Sequence, residues 1–140
     1  MRFSTTAQVR FAHVDAAGIV FYPRYFELLN GAVEDWFAAL GSDFRTLHLG
    51  QNTGTPTVSL ECEFVAPSML GDLLQIELNP EQVGTSSLRY GFRMVGEGRE
   101  RVRGSAILVC MDLAAKQSRP WPGTLRDRLN AGLPGEAAKP

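Results

Sequence analysis

Asp15 is the side chain whose type and position in this sequence most clearly suggest chemistry. It closes an apolar strand, and a turn of small residues, Ala16-Ala17-Gly18, separates it from Pro23, which suits the first turn of a helix. The first N–H groups of a helix lack intrahelical acceptors and carry partial positive charge. A carbonyl bound there would meet hydrogen-bond donors on one side and a carboxylate on the other. The spacing therefore predicts a site for attack on an activated acyl group.

A second interpretation of Asp15 is purely structural, because an Asp before a turn commonly accepts hydrogen bonds from neighbouring backbone N–H groups. The segment that follows, Ala16–Phe21, favours the chemical role, since a surface turn would be more polar. Burial disfavours a charged carboxylate and a helix N-terminus favours it. Both a nucleophile and a general base therefore remain open as roles.

Other catalytic machinery has no counterpart in the sequence. There is no Gly-x-Ser-x-Gly elbow and no phosphate loop. His13 and His48 do not have the spacing of zinc ligands, and Cys62 alternates with core residues, as an inert buried thiol does. We expect no metal and no cofactor, which leaves carboxylate chemistry.

Composition bounds the class of protein. The 140 residues are 44% hydrophobic and 21% charged, as expected of one soluble domain, which we place at residues 1–132 with a flexible tail at 133–140. A net charge of −1 argues against nucleic-acid or anionic-membrane partners. No apolar run approaches the ~20 residues of a membrane span, and the N-terminus lacks a secretory pattern. We expect a cytoplasmic protein.

Periodicity predicts the elements that position Asp15. Alternation predicts a strand over residues 3–11, and helical spacing predicts a long helix over 23–40 that ends at Gly41. Gly31, inside this helix, indicates either close packing on a sheet or room for a ligand. Residues 42–54 resemble a loop. Three alternating segments follow, near residues 58–64, 74–78 and 88–94, and a fourth segment at 105–113 is apolar on both faces, as in a central strand; turns are expected at 67–72, 80–86 and 96–99. A short helix begins near Thr124 and ends by Gly132.

This order predicts an α+β fold in which a curved, five-stranded antiparallel sheet wraps around one long helix. Six charged residues are expected to pair across strands on the open face of the sheet: Glu61, Glu63, Arg89, Arg93, Arg101 and Arg103. The uncovered edges of such a sheet favour pairing into a dimer.

Two runs of the sequence carry a family resemblance. The first is Asp15-Ala16-Ala17-Gly18-Ile19-Val20-Phe21-Tyr22-Pro23-Arg24-Tyr25-Phe26, and the second is Gly54-Thr55-Pro56-Thr57-Val58-Ser59 followed by Phe64-Val65. They resemble 4-hydroxybenzoyl-CoA thioesterases of the hotdog-fold acyl-CoA thioesterase superfamily, and the likeness spans roughly residues 3–129. It implies hydrolysis of an aromatic acyl-CoA by a homodimer that pairs into a homotetramer.

The resemblance also implies roles for single residues. Asp15 would be the catalytic carboxylate, the backbone amide of Tyr22 would polarise the thioester carbonyl, and Gly18 would allow close backbone approach. His13 would tune Asp15 or serve a structural role, and Arg119 would contact a CoA phosphate or remain a solvated surface residue. The acyl pocket would be formed by Phe21, Tyr25 and Asn30, with Thr55, Thr57 and Ser59 from the partner subunit.

Two departures leave the substrate open. Relatives specific for hydroxybenzoyl groups carry an acidic residue where this chain has Asn30, which lacks charge assistance for binding a phenol. The turn at residues 84–87 lacks the basic cluster that some relatives offer to CoA. The alternatives are a general short- or medium-chain acyl-CoA or acyl-carrier thioesterase, and a non-catalytic module that binds acyl-CoA.

Overall fold

The computed structural model describes residues 2–132, so the predicted tail at 133–140 lies outside the described residues. The strands are β1 (Phe3–Gln8), β2 (Thr53–Gly54), β3 (Thr57–Phe64), β4 (Leu73–Val83), β5 (Ser87–Gly96), β6 (Arg99–Val109), β7 (Met111–Asp112) and β8 (Gln117–Ser118). The helices are α1 (Arg24–Ala39) and α2 (Gly123–Ala131), with a 3-10 turn at Phe11–His13 and a π-helical turn at Thr46–Gly50.

Five strands form one antiparallel sheet in the order β1-β4-β5-β6-β3. The predicted α+β arrangement of this sheet with one long helix is confirmed. The short strands β2, β7 and β8 form a small second sheet, which the sequence pattern does not predict.

Helix α1 packs on the sheet through an apolar stripe at helical spacing. The predicted helix over 23–40 is confirmed to within one residue at each end, with Pro23 at its N-cap. Gly41, just past the end, has a φ of +86°, in the left-handed region that glycine tolerates. The Trp36 ring meets that of Tyr90 on β5 at a centroid separation of 5.9 Å. The buried stripe consists of Tyr25, Leu29, Ala32, Val33, Trp36 and Phe37.

The predicted turn at 80–86 is confirmed only at 84–86, because β4 continues through Pro80 to Val83 and β5 begins at Ser87. Pro80 pairs with Tyr90, and the register shifts between Pro80 and Gln82. A bulge of this kind takes one residue out of the hydrogen-bond ladder, which accommodates a proline that has no N–H to donate.

Other boundaries move for local reasons. β1 ends at Gln8 and not Phe11, because Gln8 pairs with Leu73, the first residue of β4. β6 ends at Val109 and not at 113, since the chain then leaves the main sheet and β7 pairs with β2. Helix α2 starts at Gly123, one residue before Thr124, with Pro122 at the N-cap. The predicted loop at 42–54 contains the π-helical turn and β2.

Arg101 is not on the open face of the sheet as predicted. The β5–β6 register shifts between Met94 and Val95, so alternation fails there and Arg101 is buried, with 6% of its surface exposed. Its Nη1 donates to Asp72 Oδ2 at 2.8 Å and to the carbonyl of Pro67 at 3.0 Å. The Met69 N–H and the Arg101 guanidinium lower the pKa of Asp72.

The two edges of the main sheet differ in character. β1 is short and polar at one edge, whereas β3 at the other edge exposes 59% of Val58, 36% of Leu60 and 49% of Phe64. No helix within residues 2–132 is both long and apolar enough to span a bilayer. The unpaired β3 edge is therefore the more apolar and the more suited to pairing.

Candidate active site

Asp15 lies in a tight turn between two short paired segments that lead into α1. Val14 pairs with Val20, and the Asp15 N–H donates to the carbonyl of Ile19 at 3.0 Å. Gly18, at a φ of +79°, donates its N–H to the Asp15 carbonyl at 3.0 Å. The left-handed conformation of Gly18 closes this turn. Any other residue would adopt this conformation only at a cost in free energy. The turn thus ties the carboxylate to the chain that enters the helix.

The two oxygens of the Asp15 carboxylate differ in their contacts. Oδ1 accepts a hydrogen bond from the Ala17 N–H at 2.9 Å, as the structural interpretation of this residue requires. Oδ2 has no hydrogen-bond partner among residues 2–132, and the side chain is exposed in the single chain. The burial suggested by the apolar segment is not provided by this chain alone. One oxygen is therefore held and the other is open.

The start of α1 leaves one backbone donor open. Arg24 N–H donates to the carbonyl of Phe21 at 2.8 Å, and Tyr25 N–H to that of Tyr22 at 3.2 Å. Phe21 N–H donates to the carbonyl of His13 at 2.9 Å, and Pro23 has no N–H. Within the described residues the Tyr22 N–H alone in this stretch of 21–25 has no acceptor. It is the amide that the family resemblance implies as the carbonyl-polarising donor.

His13 is held by the 3-10 turn that precedes Asp15. Its Nδ1 accepts a hydrogen bond from the Arg10 N–H at 2.9 Å, and its carbonyl accepts the Phe21 N–H. No described contact joins its side chain to Asp15. These contacts favour the structural role of His13 over a tuning role.

An aromatic wall stands beside the open amide, formed by Phe21, Tyr22, Phe26 and Phe64. Phe21 and Tyr22 are 49% and 58% exposed. The ring of Phe64 lies 5.7 Å from that of Tyr22 and 6.3 Å from that of Phe26, between centroids. Tyr25, predicted in the acyl pocket, lies in the core behind this wall, and its hydroxyl bonds to Ser68 Oγ at 2.9 Å. Phe64, from β3, has a larger part in the site than the sequence suggested.

A second cluster of predicted residues lines an open groove of about 500 Å³ beside the middle of α1. This α1 groove brings together Asn30, Thr55 and Thr57 of one chain, whereas the acyl-pocket prediction takes the two threonines from the partner subunit. Its other lining residues are Glu34, Phe44, His48, Gly54, Pro56, Met111 and Leu113. A slightly larger hollow of about 560 Å³, lined by Gly91 and Gly104 among paired charges, contains no predicted site residue. Of these two depressions, the α1 groove is the one that contains predicted acyl-pocket residues.

The remaining predicted residues lie around these two clusters. Ser59 is exposed on the free β3 edge. Arg119 is exposed, and its Nη1 donates to Thr53 Oγ1 at 3.2 Å and to the Gln51 carbonyl at 3.4 Å. At Gly31 a Cβ would meet nothing within 4 Å, so close packing of this glycine on the sheet is wrong and the helix face there is open.

Sequence reasoning missed two polar residues of the groove. Glu34 follows Asn30 by one helical turn, and this i, i+4 spacing was a signal that both share a face. His48 had no such signal, because it belongs to a segment predicted as a loop and folded here as a π-helical turn.

Comparison with known proteins identifies the family. Residues 9–129 match the sequence model of the Thioesterase-like superfamily. The chain is 30% identical over 123 residues to a 1,4-dihydroxy-2-naphthoyl-CoA hydrolase from Acaryochloris marina, over 86% of this chain and 90% of that protein.

Solved structures agree on the fold. A 1,4-dihydroxy-2-naphthoyl-CoA thioesterase from Synechocystis superposes with a TM-score of 0.84 at 21% identity, over 92% of this chain and 96% of that one. A gentisyl-coenzyme A thioesterase superposes with a TM-score of 0.82 at 25% identity, over 91% and 99%. Membership of the narrower 4-hydroxybenzoyl-CoA family stays a prediction. The chain belongs to the thioesterase-like superfamily and has its hotdog fold.

Proposed function

We propose that this protein hydrolyses the thioester of an aromatic acyl-CoA to the free acid and CoA. The observation that carries the proposal is the open Tyr22 N–H at the start of α1, tied by a short paired segment to the Asp15 carboxylate. The exposed aromatic wall beside it suits an aromatic acyl group. The relatives are named for aromatic acyl-CoA esters, which supports the same substrate class.

The chemistry follows from these two groups. The thioester carbonyl oxygen accepts the Tyr22 N–H, and the negative charge that develops on this oxygen in the tetrahedral intermediate strengthens the bond. Asp15 can act by either of two routes, as a nucleophile or as a general base. As a nucleophile, its open oxygen attacks the carbonyl carbon, the C–S bond breaks, CoA leaves as thiolate, and water hydrolyses the mixed anhydride. As a general base, it takes a proton from the water that attacks.

The active site is proposed to be shared between two subunits. β3 runs antiparallel to α1, so Phe64 lies at the start of the helix and Thr57 lies beside its middle. Antiparallel pairing of two β3 edges, centred between Leu60 and Glu61, sets the partner's Thr57 opposite Phe64. The α1 groove of one chain then faces the Asp15 turn of the other. This places Thr55, Thr57 and Ser59 at the partner's site, covers the exposed β3 side chains, and leaves two dimers to pair into a tetramer.

A thiol-release assay tests the function. We expect turnover of benzoyl-, 4-hydroxybenzoyl-, gentisyl- or 1,4-dihydroxy-2-naphthoyl-CoA to exceed that of aliphatic acyl-CoAs of similar size. Faster turnover of aliphatic esters would favour the general thioesterase instead. Binding of acyl-CoA without any thiol release would show a non-catalytic module and overturn the proposal.

A further inference from the structure

The α1 groove contains two polar side chains that the thioester chemistry does not use, Glu34 and His48. Glu34 lies one turn beyond Asn30 on the same face of α1. Its carboxylate has no hydrogen bond and no ion pair with any of residues 2–132. An exposed charged acceptor without a partner among residues 2–132 thus lines an open groove of about 500 Å³, which is large enough to admit an aromatic acyl group.

The orientation of His48 is fixed by its own turn. Its Nδ1 lies 2.9 Å from the Phe44 carbonyl, which only accepts hydrogen bonds, so Nδ1 carries the proton. In the neutral ring, Nε2 is then an acceptor. The Phe44 ring, 5.1 Å away between centroids, holds the imidazole in place. A Cβ at Gly54 would lie 3.7 Å from Nε2, so this nitrogen is directed toward the strand that lines the groove.

The rest of the groove is mostly apolar. Phe44, Pro56, Met111 and Leu113 supply flat or flexible hydrophobic surface, and Asn30, Thr55 and Thr57 supply polar groups. Hydrophobic surface combined with two acceptors complements an aromatic ring that carries hydroxyl donors. A hydroxyl donating to a carboxylate makes a stronger bond than one donating to a neutral amide.

We infer that Glu34, assisted by His48, determines acyl specificity by accepting a hydrogen bond from a ring hydroxyl of the acyl group. The charged acceptor that Asn30 does not provide is supplied one helical turn away. This inference rests on the proposed function and adds the residue that distinguishes hydroxylated from unsubstituted aromatic thioesters. In this role Glu34 would contact only the ring hydroxyl and not the thioester, so it is a specificity residue and takes no part in the bond-breaking step.

The test compares paired substrates in wild type and Glu34→Gln. The measured quantity is the ratio of kcat/KM for a hydroxylated ester to kcat/KM for benzoyl-CoA, using 3-hydroxybenzoyl-, 4-hydroxybenzoyl- and gentisyl-CoA in turn. We expect wild type to prefer at least one hydroxylated ester, and Glu34→Gln to lower that ratio about 10-fold, because a charge-assisted bond becomes a neutral one. Thermal unfolding of Glu34→Gln at the temperature of wild type establishes that the variant is folded.

A matched control lies next along the helix. Asp35 accepts a hydrogen bond from Thr5 Oγ1 at 3.2 Å and is not in the groove, so Asp35→Asn removes the same charge without the contact. Its substrate ratio should equal that of wild type. His48→Phe keeps a flat ring but has no acceptor nitrogen, and it is expected to lower the same ratio of hydroxylated ester to benzoyl-CoA.

The outcomes separate the inference from the function on which it rests. If wild type releases thiol from no thioester, the proposed function fails. If wild type turns over aromatic thioesters without preferring hydroxylated ones, or if Glu34→Gln keeps the wild-type ratio, the function stands and the inference is overturned. An equal fall in the ratio for Asp35→Asn would also overturn it, because net charge and not contact would be the cause.

Discussion

Among single residues, Tyr22 is proposed to act through its backbone amide. Its N–H has no acceptor in the described chain, so replacing it removes no internal hydrogen bond. Tyr22→Pro, which deletes this N–H, is expected to lower kcat about 10²–10³-fold, the usual effect of losing one oxyanion donor. Tyr22→Phe keeps the amide and the ring and should remain active. The two variants are compared in the thiol-release assay, with thermal unfolding to establish that both fold. Equal activity of the two would exclude the amide as the donor.

Asp15 is tested by a change that preserves its turn. In Asp15→Asn the side-chain oxygen still accepts the Ala17 N–H, but the carboxylate charge is lost. We expect kcat to fall by about 10²-fold or more with an unchanged fold. Asp112, which accepts the N–H groups of Ala114 and Ala115 in a similar turn, provides the control Asp112→Asn. Near-normal turnover of Asp15→Asn would contradict the catalytic role.

Arg119 is proposed to contact a CoA phosphate from the surface. Of its guanidinium nitrogens, only Nη1 is hydrogen-bonded within residues 2–132, so the other two nitrogens have N–H groups free to bind an anion. Arg119→Gln is expected to raise KM several-fold and leave kcat unchanged, the pattern of lost uniform binding. Lys116→Gln, in the nearby turn before β8, is the control. Steady-state kinetics at low and high salt would measure KM and kcat of both variants. An unchanged KM in Arg119→Gln would mean that Arg119 is an ordinary surface residue.

At the scale of elements, the bulge in β5–β6 creates the buried pair of Arg101 and Asp72. The pKa of Asp72 is lowered on folding, so its charge stabilises the fold fully above the unfolded pKa of about 3.9 and less as pH falls through the folded value. We expect Asp72→Asn to lose about 3 kcal/mol of stability at neutral pH, because Arg101 is left buried without its partner.

Denaturation across a range of pH measures this effect. The difference in stability between wild type and Asp72→Asn should shrink as pH falls below about 4, where Asp72 is protonated in the unfolded chain and then in the folded one. Asp35→Asn, which removes an exposed carboxylate, provides the comparison. A difference that stays constant from neutral to acid pH would mean that the ion pair is not its source.

The elements that sequence predicts well are those whose pattern is regular. The apolar stripe of α1 and the alternating burial of β5 follow directly from periodicity, and Gly41 marks the helix end. Pro80 and Arg101 could not be placed, because each lies at a register shift that long-range pairing determines. In the site, the turn at Asp15 and the unpaired N–H groups at the helix start were predictable from local spacing, whereas the role of the Tyr22 amide was implied by the family resemblance. The groove around His48 was not, since it joins segments distant in sequence.

For the whole molecule, the free β3 edge is the feature to test. Leu60→Arg puts a charge at the proposed centre of the paired edges, where a two-fold axis would bring two copies together. We expect this variant to sediment as a monomer and to lose most thioesterase activity, although the sheet within each chain remains. Thr6→Arg charges the opposite edge strand, β1, and should change neither property. A fully active monomer would contradict a shared site.

The bond between Asp15 Oδ1 and Ala17 N–H has an entropic consequence. A free carboxylate rotates about its Cβ–Cγ bond and can present either oxygen to a substrate. The Asp15 carboxylate is held by its hydrogen bond and presents only Oδ2, in one direction. Its rotational freedom is lost once, when the chain folds, and not again each time a thioester arrives.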